Sequence, residues 1–247
     1  NDAIVINENF VGTSTSNGIY HDAGTTTIED NFIGGINAAA PLNTISHSLY
    51  GIFISGGSST IQNNVIGSTS VSNSLNCSIA STHATGQFLT GIQITSTATP
   101  INILNNTLAG FTNVSGSAGA SAILRGIATS SSGTGIVNSV GNTIFNLKNN
   151  SSLTGTGATA NTVGILHLRT AAGQTIAQNT IYDIVNTHPT AVVSVAGIHA
   201  TFPTSGTNLV SRNNIHSLNI NSSNNTGNII GINAFAGIAT YHNNMIR

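Results

Sequence analysis

The feature that most constrains the fold of this chain is a short motif that recurs along its whole length. "TIQNNVIG", from Thr60 to Gly67, is one of eight related copies that share a central Asn. An aliphatic residue stands two places after every one of these Asn residues. Such recurrence indicates a repeat architecture, in which each repeat stacks on the next. The shared column is Asn9, Asn31, Asn64, Asn106, Asn142, Asn179, Asn213 and Asn244.

Two further columns accompany the Asn column. Gly-Ile pairs begin at Gly18, Gly51, Gly91, Gly126, Gly164, Gly197 and Gly231. The residues three places before the Asn are Ile6, Ile28, Ile61, Ile103, Ser139, Ile176, Val210 and Tyr241. Ser139 breaks this aliphatic column, and we expect Val140, one place later, to substitute for it. The distance from Gly to the next Asn is nearly constant, whereas the distance from Asn to the next Gly varies, so the second arc accepts insertions.

The alternation of aliphatic residues, as in Ile52 and Ile54, predicts short strands with one buried face. Repeats of 31 to 42 residues built from such strands fit coils whose equivalent strands pair in parallel. We therefore predict an all-β fold: one right-handed parallel β-helix (β-solenoid) domain over residues 1–247, with about seven coils, an Asn ladder and stacked Ile columns. A leucine-rich repeat fits less well, because its period is about 20 to 29 residues.

We expect the Asn column to be structural. Asn tolerates the left-handed backbone conformation of a tight turn, and stacked amides can hydrogen-bond along the column. The Gly of each Gly-Ile pair is expected where a side chain would crowd the neighbouring coil, or where a positive φ is needed. The glycines carry no fingerprint of a phosphate-binding loop.

Composition excludes several classes of function. Charged residues make up 4% of the chain and the net charge is -1, so no basic patch exists for nucleic acid. No apolar run is long enough for membrane insertion, and Cys77, the single cysteine, cannot form an internal disulfide. Because the sequence begins at Asn1 without a signal segment, we expect a processed or excised piece of a longer precursor.

The pattern resembles the right-handed parallel β-helix repeat family, as in "GIFISGGSSTIQNNVIG" from Gly51 and "GILHLRTAAGQTIAQNTIYDI" from Gly164. The segments "NTIYDI" and "RNNIHSL", each followed by Ser-, Thr- and Asn-rich tracts, resemble the large secreted or surface-anchored bacterial repeat proteins of the type IX secretion route. This resemblance implies an extracellular or cell-surface location. Parallel β-helices include enzymes, adhesins and passive stalks, so the fold does not choose the function.

The acidic residues lie mainly at the beginning of the chain. Five of the six stand within the first thirty residues, and the motif places Glu8 and Asp30 in one column, directly before Asn9 and Asn31. Like charges in register suggest a weak candidate calcium site at Glu8 and Asp30, with Glu29 or Asp22 as further oxygen donors; the alternative is two solvated carboxylates. No catalytic partner stands nearby, so we expect no enzyme activity and no cofactor.

We expect the histidines and the polar tracts of the chain to lie on the surface. The histidines do not form one column. The tracts that begin at Thr112, Lys148 and Asn219 are expected as loops along one side, which could bind glycans, carry them or only solubilise the rod. The outward residues after Gly-Ile include no Thr ladder, which argues against ice binding.

These observations lead to one main functional expectation and one alternative. The first is a structural, adhesive or filament-forming extracellular segment whose partners are itself, by end-to-end stacking, or surface glycans. The alternative is a carbohydrate-binding or polysaccharide-degrading β-helix with its site in the inserted loops or outside this segment.

Overall fold

The chain winds into coils of short strands that stack in parallel. The computed structural model describes residues 4–7, 12–40, 45–79, 87–115, 122–130, 133–152, 161–224 and 226–247. All strand pairs among these residues are parallel, and none of these residues is helical. Consequently, no helix in the described ranges could cross a membrane. The prediction of an all-β parallel solenoid is confirmed.

Sheet 1 contains the Gly-Ile motifs. It comprises, in spatial order, β2 (Gly12–His21), β6 (Ile45–Ile54), β10 (Gln87–Ile94), β13 (Ala122–Thr129), β16 (Thr162–Leu168), β19 (Ser194–Thr201) and β22 (Asn228–Ala236).

Sheet 2 precedes the Asn column in each coil. It comprises β3 (Thr25–Glu29), β7 (Ser58–Gln62), β11 (Ile101–Leu104), β14 (Val137–Val140), β17 (Thr175–Ala177), β20 (Leu209–Ser211) and β23 (Thr240–His242). Sheets 1 and 2 contain seven strands each. Seven stacked strands enclose about six turns of the chain, one fewer than the seven coils expected from the sequence.

Sheet 3 follows the Asn column and is split into half-strands in its early coils. It comprises β1 (Ile4–Asn7), β4 (Phe32–Ile33), β5 (Ile36–Ala40), β8 (Val65–Gly67), β9 (Leu75–Ile79), β12 (Thr107–Ser115), β15 (Thr143–Asn150), β18 (Thr180–Asn186), β21 (Asn214–Ile220) and β24 (Met245–Ile246). The long strand β12 pairs with β8 through its first half and with β9 through its second half.

Strict register produces the predicted Ile columns. In sheet 1, Ile52 pairs with Ile92 and Ile92 with Ile127, and all three are fully buried. The same register runs through Ile165 and Ile198. Because each burial removes an aliphatic side chain from water, it contributes about 1.5 to 3 kcal/mol to folding. One continuous apolar core therefore runs along the solenoid axis.

The fifth copy keeps its register in spite of its polar residue. Ser139 pairs with Ile103 on one side and Ile176 on the other, and it is fully buried. Val140 pairs with Leu104 and Ala177 in the next column and is only partly buried. The expectation that Val140 substitutes in the aliphatic column is therefore wrong, because the backbone register is fixed by the neighbouring strands.

The first copy of the motif departs from the predicted alignment. Ile6 pairs with Ala38, within sheet 3, because β1 lies beside β5. The sequence motif had placed Ile6 in the column of Ile28, which belongs to sheet 2. The first short repeat, 22 residues from Asn9 to Asn31, is too short for the coil of 31 to 42 residues that the others form.

The glycines of the Gly-Ile pairs lie where the backbone of the neighbouring coil and an aliphatic side chain leave no room for a Cβ atom. A Cβ atom at Gly164 would lie 2.6 Å from the carbonyl oxygen of Gly197 and 2.6 Å from Cγ2 of Ile181. None of these seven glycines is among the residues with positive φ. Crowding between neighbouring coils, the first of the two predicted reasons, therefore requires Gly at this position.

Candidate functional site

The described Asn residues of the motif form a continuous hydrogen-bonded ladder. Nδ2 of Asn106 donates to Oδ1 of Asn142 at 3.0 Å, and the backbone N–H of Asn106 donates to the same oxygen at 3.0 Å. The same two bonds recur at every step from Asn31 to Asn244, with side-chain distances of 2.9 to 3.0 Å. Asn9 lies outside the described residues, and its place in the ladder stays a prediction.

Each interior amide is fully satisfied. The second hydrogen of Nδ2 is donated to a backbone carbonyl of the preceding coil, as from Asn142 to Ile103 at 2.9 Å. Asn64, Asn142 and Asn179 are fully buried. A buried polar group without a partner costs about 1 to 3 kcal/mol, so this column holds a buried turn that aliphatic residues could not. Among the described residues, the ladder amides are engaged in hydrogen bonds that join neighbouring coils.

The left-handed turn residue is not the Asn itself. The residue directly before each ladder Asn has a positive φ of 53° to 71°: Asp30, Asn63, Asn105, Gly141, Gln178, Arg212 and Asn243. The prediction that the ladder Asn supplies this conformation is therefore wrong. Its side chain must instead point inward, and the preceding residue reverses the chain with its own side chain turned to solvent.

A second set of buried amides is absent from the sequence prediction. Asn113, Asn149 and Asn186 pair in register within sheet 3 and are fully buried. Nδ2 of Asn149 donates to the carbonyls of Asn161 at 2.8 Å and Ala122 at 3.1 Å, so it joins sheet 3 to the start of sheet 1. A signal existed, since each of the three stands seven residues after a ladder Asn.

The inserted tracts are partly strand. Thr112 to Ser115 belong to β12, Lys148 to Asn150 belong to β15, and Asn219 and Ile220 belong to β21. The expectation that loops begin at Thr112, Lys148 and Asn219 is therefore wrong by several residues. In the first two tracts the buried amides Asn113 and Asn149 hold the segment in the sheet, and in the third, Asn219 and Ile220 continue the register of Val185 and Asn186. Residues 116–121, 153–160 and 225 lie outside the described part of the chain.

The weak calcium candidates do not gain a ligand set among the described residues. Glu8 lies outside these residues, and Asp30 is an exposed turn residue with a φ of 57°. Glu29, a further proposed donor, accepts a hydrogen bond from Nε2 of Gln62 at 2.7 Å. Within the described ranges, no group of three or more His, Cys, Asp or Glu residues could hold a metal ion.

Three histidines, His47, His167 and His199, are buried, although the sequence predicts surface positions for isolated His, and Nδ1 of His47 is hydrogen-bonded to the hydroxyl of Ser14 at 2.6 Å. His167 is inside the coil and its ring contacts Phe202, while His199 lies on the outer face of sheet 1 and contacts Phe235. Their ring nitrogens have no hydrogen-bond partner. Burial, with a smaller repulsion from Arg169, lowers the pKa of His167 to about 3, and burial with repulsion from Arg125 lowers the pKa of His199 to about 4. Both rings are therefore neutral near pH 7.

Arg169 is buried inside the solenoid and connects its own coil to two others by hydrogen bonds. Its Nη1 donates to the carbonyl of Ser96 at 2.9 Å and its Nη2 donates to that of Ile94 at 3.4 Å, while its backbone N–H donates to Thr201. Burial lowers the pKa of Arg169 to about 10, which leaves the guanidinium charged at neutral pH. Backbone carbonyls thus solvate this cation, and we assign it a structural role.

The outer face of sheet 1 carries an aromatic groove of about 320 Å³. Tyr50 and Phe53 lie 5.1 Å apart between ring centroids, and Tyr20 extends the aromatic surface at 5.5 Å from Phe53. Phe88, Gln93 and Arg125 line the same groove and add an amide and a guanidinium. The sequence places Tyr20, Phe53 and Gln93 in one outward column but gives no reason to combine them with Tyr50, which belongs to the neighbouring column.

The last described rung exposes the side chains that form the core elsewhere. Ile246 is 55% exposed, whereas its register partner Ile215 is fully buried. Tyr241 is 39% exposed beside the buried Val210, and Ile229 is 54% exposed beside the buried Val195. All three sheets therefore present an apolar edge at this end of the solenoid.

Comparisons with known proteins add no relative. No family model matches the chain, and neither the curated proteins nor the solved structures compared with it include a match.

Proposed function

We propose that this chain is a structural segment of an extracellular or cell-surface β-solenoid, which extends by end-to-end stacking of rungs. The unbroken Asn ladder and the continuous apolar core carry the proposal, because each rung is completed by the rung stacked on it. Unpaired parallel edges with apolar side chains template further strands. A stacked rung would bury these groups and continue the hydrogen bonds of all three sheets.

The resemblance of "NTIYDI" and "RNNIHSL" to secreted bacterial repeat proteins supports the extracellular part of the proposal. A rod with few charged residues and many surface amides and hydroxyls suits a spacer or adhesive stalk. Its function would be mechanical: the ladder and the core columns hold a fixed length between two attachment points.

The proposal assigns no catalytic role. Hydrolysis of a glycosidic bond requires two carboxyl groups about 5 to 9.5 Å apart on either side of the substrate. Among the described acids, Asp183 lies on β18 in sheet 3, whereas Glu29 ends β3 in sheet 2, four coils away along the solenoid. The described residues thus offer adjacent carboxylates only at Glu29 and Asp30, which are both exposed.

Association of the purified chain tests the proposal. We expect sedimentation velocity over a concentration series to show growing oligomers, and negative-stain images to show thin unbranched rods. Monodisperse monomers at millimolar concentration would contradict self-stacking. The variant Ile246→Asp, which places a charge at the exposed edge, should abolish the rods, while Val71→Asp, at an exposed position in an interior coil, serves as a matched control.

A second candidate function is glycan binding at the aromatic groove. Sugar rings pack their C–H faces on aromatic side chains and hydrogen-bond to amides and guanidinium groups, and Tyr50, Phe53, Gln93 and Arg125 supply both. A glycan array with the intact chain tests this candidate. Binding that is lost in Tyr50→Ala and retained in Tyr182→Ala, on the outer face of sheet 3, would support it; no binding to any glycan would exclude it.

A further inference from the structure

The aromatic groove on the outer face of sheet 1 changes in chemistry from one coil to the next. Tyr50 and Phe53 form its aromatic end on β6, with ring centroids 5.1 Å apart. Gln93 follows Phe53 in register on β10 and places an amide in the next coil. Because neighbouring strands lie about 4.8 Å apart, the groove offers a different chemical group at each step along the solenoid axis.

Arg125 gives the groove a positive charge. It stands in the outward column of Tyr50, two strands farther along, because Tyr50 pairs with Thr90 and Thr90 pairs with Arg125. Burial lowers the pKa of Arg125 to about 10, against an electrostatic effect of Tyr50 that raises it, so the guanidinium is charged at neutral pH. Two strand spacings separate the backbones of Tyr50 and Arg125 by about 10 Å.

The described lining of the groove contains no carboxylate. Arg125 is the charged residue of this lining, and the others are aromatic, aliphatic, hydroxyl or amide residues. The described acids lie elsewhere: Asp22, Glu29 and Asp30 on the first coil and Asp183 on β18 in sheet 3. A ligand with an anionic group is therefore complementary in charge to the groove. A carboxylate suits a guanidinium best, because the planar fork can donate two parallel hydrogen bonds to it.

Beyond Arg125 the groove ends at an apolar wall. Leu166 and Leu168 of β16 form this wall. Leu166 belongs to a small apolar cluster with Ala128 and Val163, against which Leu168 packs, and this cluster is separate from the core inside the solenoid. An apolar substituent beside the carboxylate of a ligand would leave water at this wall.

From this order of groups we infer that the groove binds a glycan that carries an N-acylated acidic sugar. A neutral sugar ring packs on Tyr50 and Phe53, the carboxylate pairs with Arg125, and the acyl methyl group contacts Leu168. The inference rests on the glycan binding proposed for this groove and adds the class of glycan. The volume of about 320 Å³ lies within the range of small-ligand sites.

Ligands that differ in one group test the inference on the unsubstituted chain. Sialyllactose combines a neutral disaccharide, a carboxylate and an N-acetyl group, and its carboxyl-reduced form has a hydroxymethyl group in place of the carboxylate. We expect isothermal titration calorimetry to show about tenfold or more tighter binding of sialyllactose than of the reduced form, because the charge-assisted pair is lost. Sulfated lactose lacks both the carboxylate and the acyl group and should also bind about tenfold or more weakly. Trigalacturonate keeps carboxylates without an acyl group and should bind about threefold or more weakly than sialyllactose.

Variants of the chain give the matched readout. Arg125→Gln should lower the affinity for sialyllactose to that of the reduced form and leave the affinity for the reduced form nearly unchanged. Lys148→Gln removes one positive charge from an exposed position on β15 in sheet 3 and should change neither affinity. Leu168→Asn should weaken binding of sialyllactose more than that of trigalacturonate. Circular dichroism checks that each variant is folded, and the ligand comparison on the unsubstituted chain decides the inference even where a variant is not.

The outcomes separate this inference from the broader proposal. Equal affinity for sialyllactose and its reduced form would overturn the acidic class while leaving glycan binding at the groove in place. Equally tight binding of sulfated lactose would overturn the carboxylate, and equally tight binding of trigalacturonate would overturn the acyl contact. Equal losses in Arg125→Gln and Lys148→Gln would indicate non-specific attraction and overturn the role of Arg125. Absence of binding to all four ligands would overturn both the inference and glycan binding at this groove.

Discussion

Oδ1 of Asn142 accepts two hydrogen bonds from Asn106, one from the side-chain amide at 3.0 Å and one from the backbone N–H at 3.0 Å. Nδ2 of Asn142 donates to the carbonyl of Ile103, also in the preceding coil, at 2.9 Å. One buried side chain thus satisfies two backbone groups of the coil before it and, by donating to Oδ1 of Asn179 at 3.0 Å, binds the coil after it. Repetition of this arrangement makes each rung dependent on the next.

Removal of one ladder amide should therefore destabilise the fold strongly. In Asn142→Ala, the N–H groups of Asn106 lose their acceptor, the carbonyl of Ile103 loses its donor, and Oδ1 of Asn179 loses one of its two donors. We expect a loss of about 3 to 5 kcal/mol, since several buried groups are left unpaired. Urea denaturation followed by circular dichroism measures it.

Asn138 supplies the matched control for the ladder. It lies on the outer face of β14, is partly buried and donates to Oδ1 of Asn102 at 2.9 Å. Because water can replace this partner, Asn138→Ala should cost about 1 kcal/mol or less. Equal losses in the two variants would refute the special role of the inner column.

The turn position before the ladder can be improved. Gln178 has a φ of 58° and an exposed side chain, and the equivalent residue in the preceding coil is Gly141. Gln178→Gly should raise the free energy of unfolding by about 1 kcal/mol, because Gly adopts the left-handed conformation without a steric cost.

The reverse exchange checks the cause of that gain. A Cβ atom at Gly141 would lie 2.2 Å from Oδ1 of Asn105, and its φ is 71°. Gly141→Ala should therefore lower the melting temperature while Gln178→Gly raises it. A destabilised Gln178→Gly would show that backbone strain at this position is negligible.

Stability should fall on mild acidification. His167 and His199 have folded-state pKa values of about 3 and about 4, below the ordinary value of 6.5 that applies when the chain is unfolded. Their contribution is complete above pH 6.5 and is lost as pH falls, because the unfolded chain then binds protons that the folded chain excludes. Each His contributes a slope of up to about 1.4 kcal/mol per pH unit.

Denaturation between pH 6.5 and 5 measures this slope with little interference from carboxylates. The double variant His167→Leu/His199→Leu should lose most of this slope, and His188, whose pKa burial also lowers, should leave a smaller one. The exposed His242 gives the control His242→Gln, which should keep the slope of the unsubstituted chain. An unchanged slope in the double Leu variant would assign the effect to other groups.

Ser139 is a polar residue in the core of sheet 2 whose replacement by an apolar residue should stabilise the fold. Ser139 is fully buried and its hydroxyl has no hydrogen-bond partner, so Ser139→Ala should stabilise the protein by about 1 kcal/mol. Ser96 makes the contrast, because its hydroxyl donates to Gly57 at 2.7 Å and accepts from the N–H of Ala98. Thermal unfolding should show opposite shifts for Ser139→Ala and Ser96→Ala.

The sequence predicted the fold well because the residues that define it repeat. The ladder Asn residues, the Gly-Ile glycines and the core Ile residues each satisfy one local requirement in every coil, so one period reveals all three columns. The register at Ser139 could not be predicted from its own residue type, because the strands on either side determine it. Similarly, the first copy has the motif of a full coil but the length of a shorter one, and β1 accordingly pairs in sheet 3.

The surface was less predictable because its features combine residues from different repeats. The aromatic groove joins Tyr50, Phe53 and Gln93 from two coils, and no period relates them. Burial of His199 depends on which residues cover the outer face of sheet 1.

Cryo-electron microscopy of the assembled chain tests the central claim most directly. Head-to-tail stacking with seven rungs per copy, at about 4.8 Å per rung, predicts unbranched rods with an axial repeat of about 34 Å. Continuous density for the Asn ladder across the junction between two copies would be the expected result. Monomers alone, closed dimers, or rods whose repeat differs from seven rungs would contradict the account.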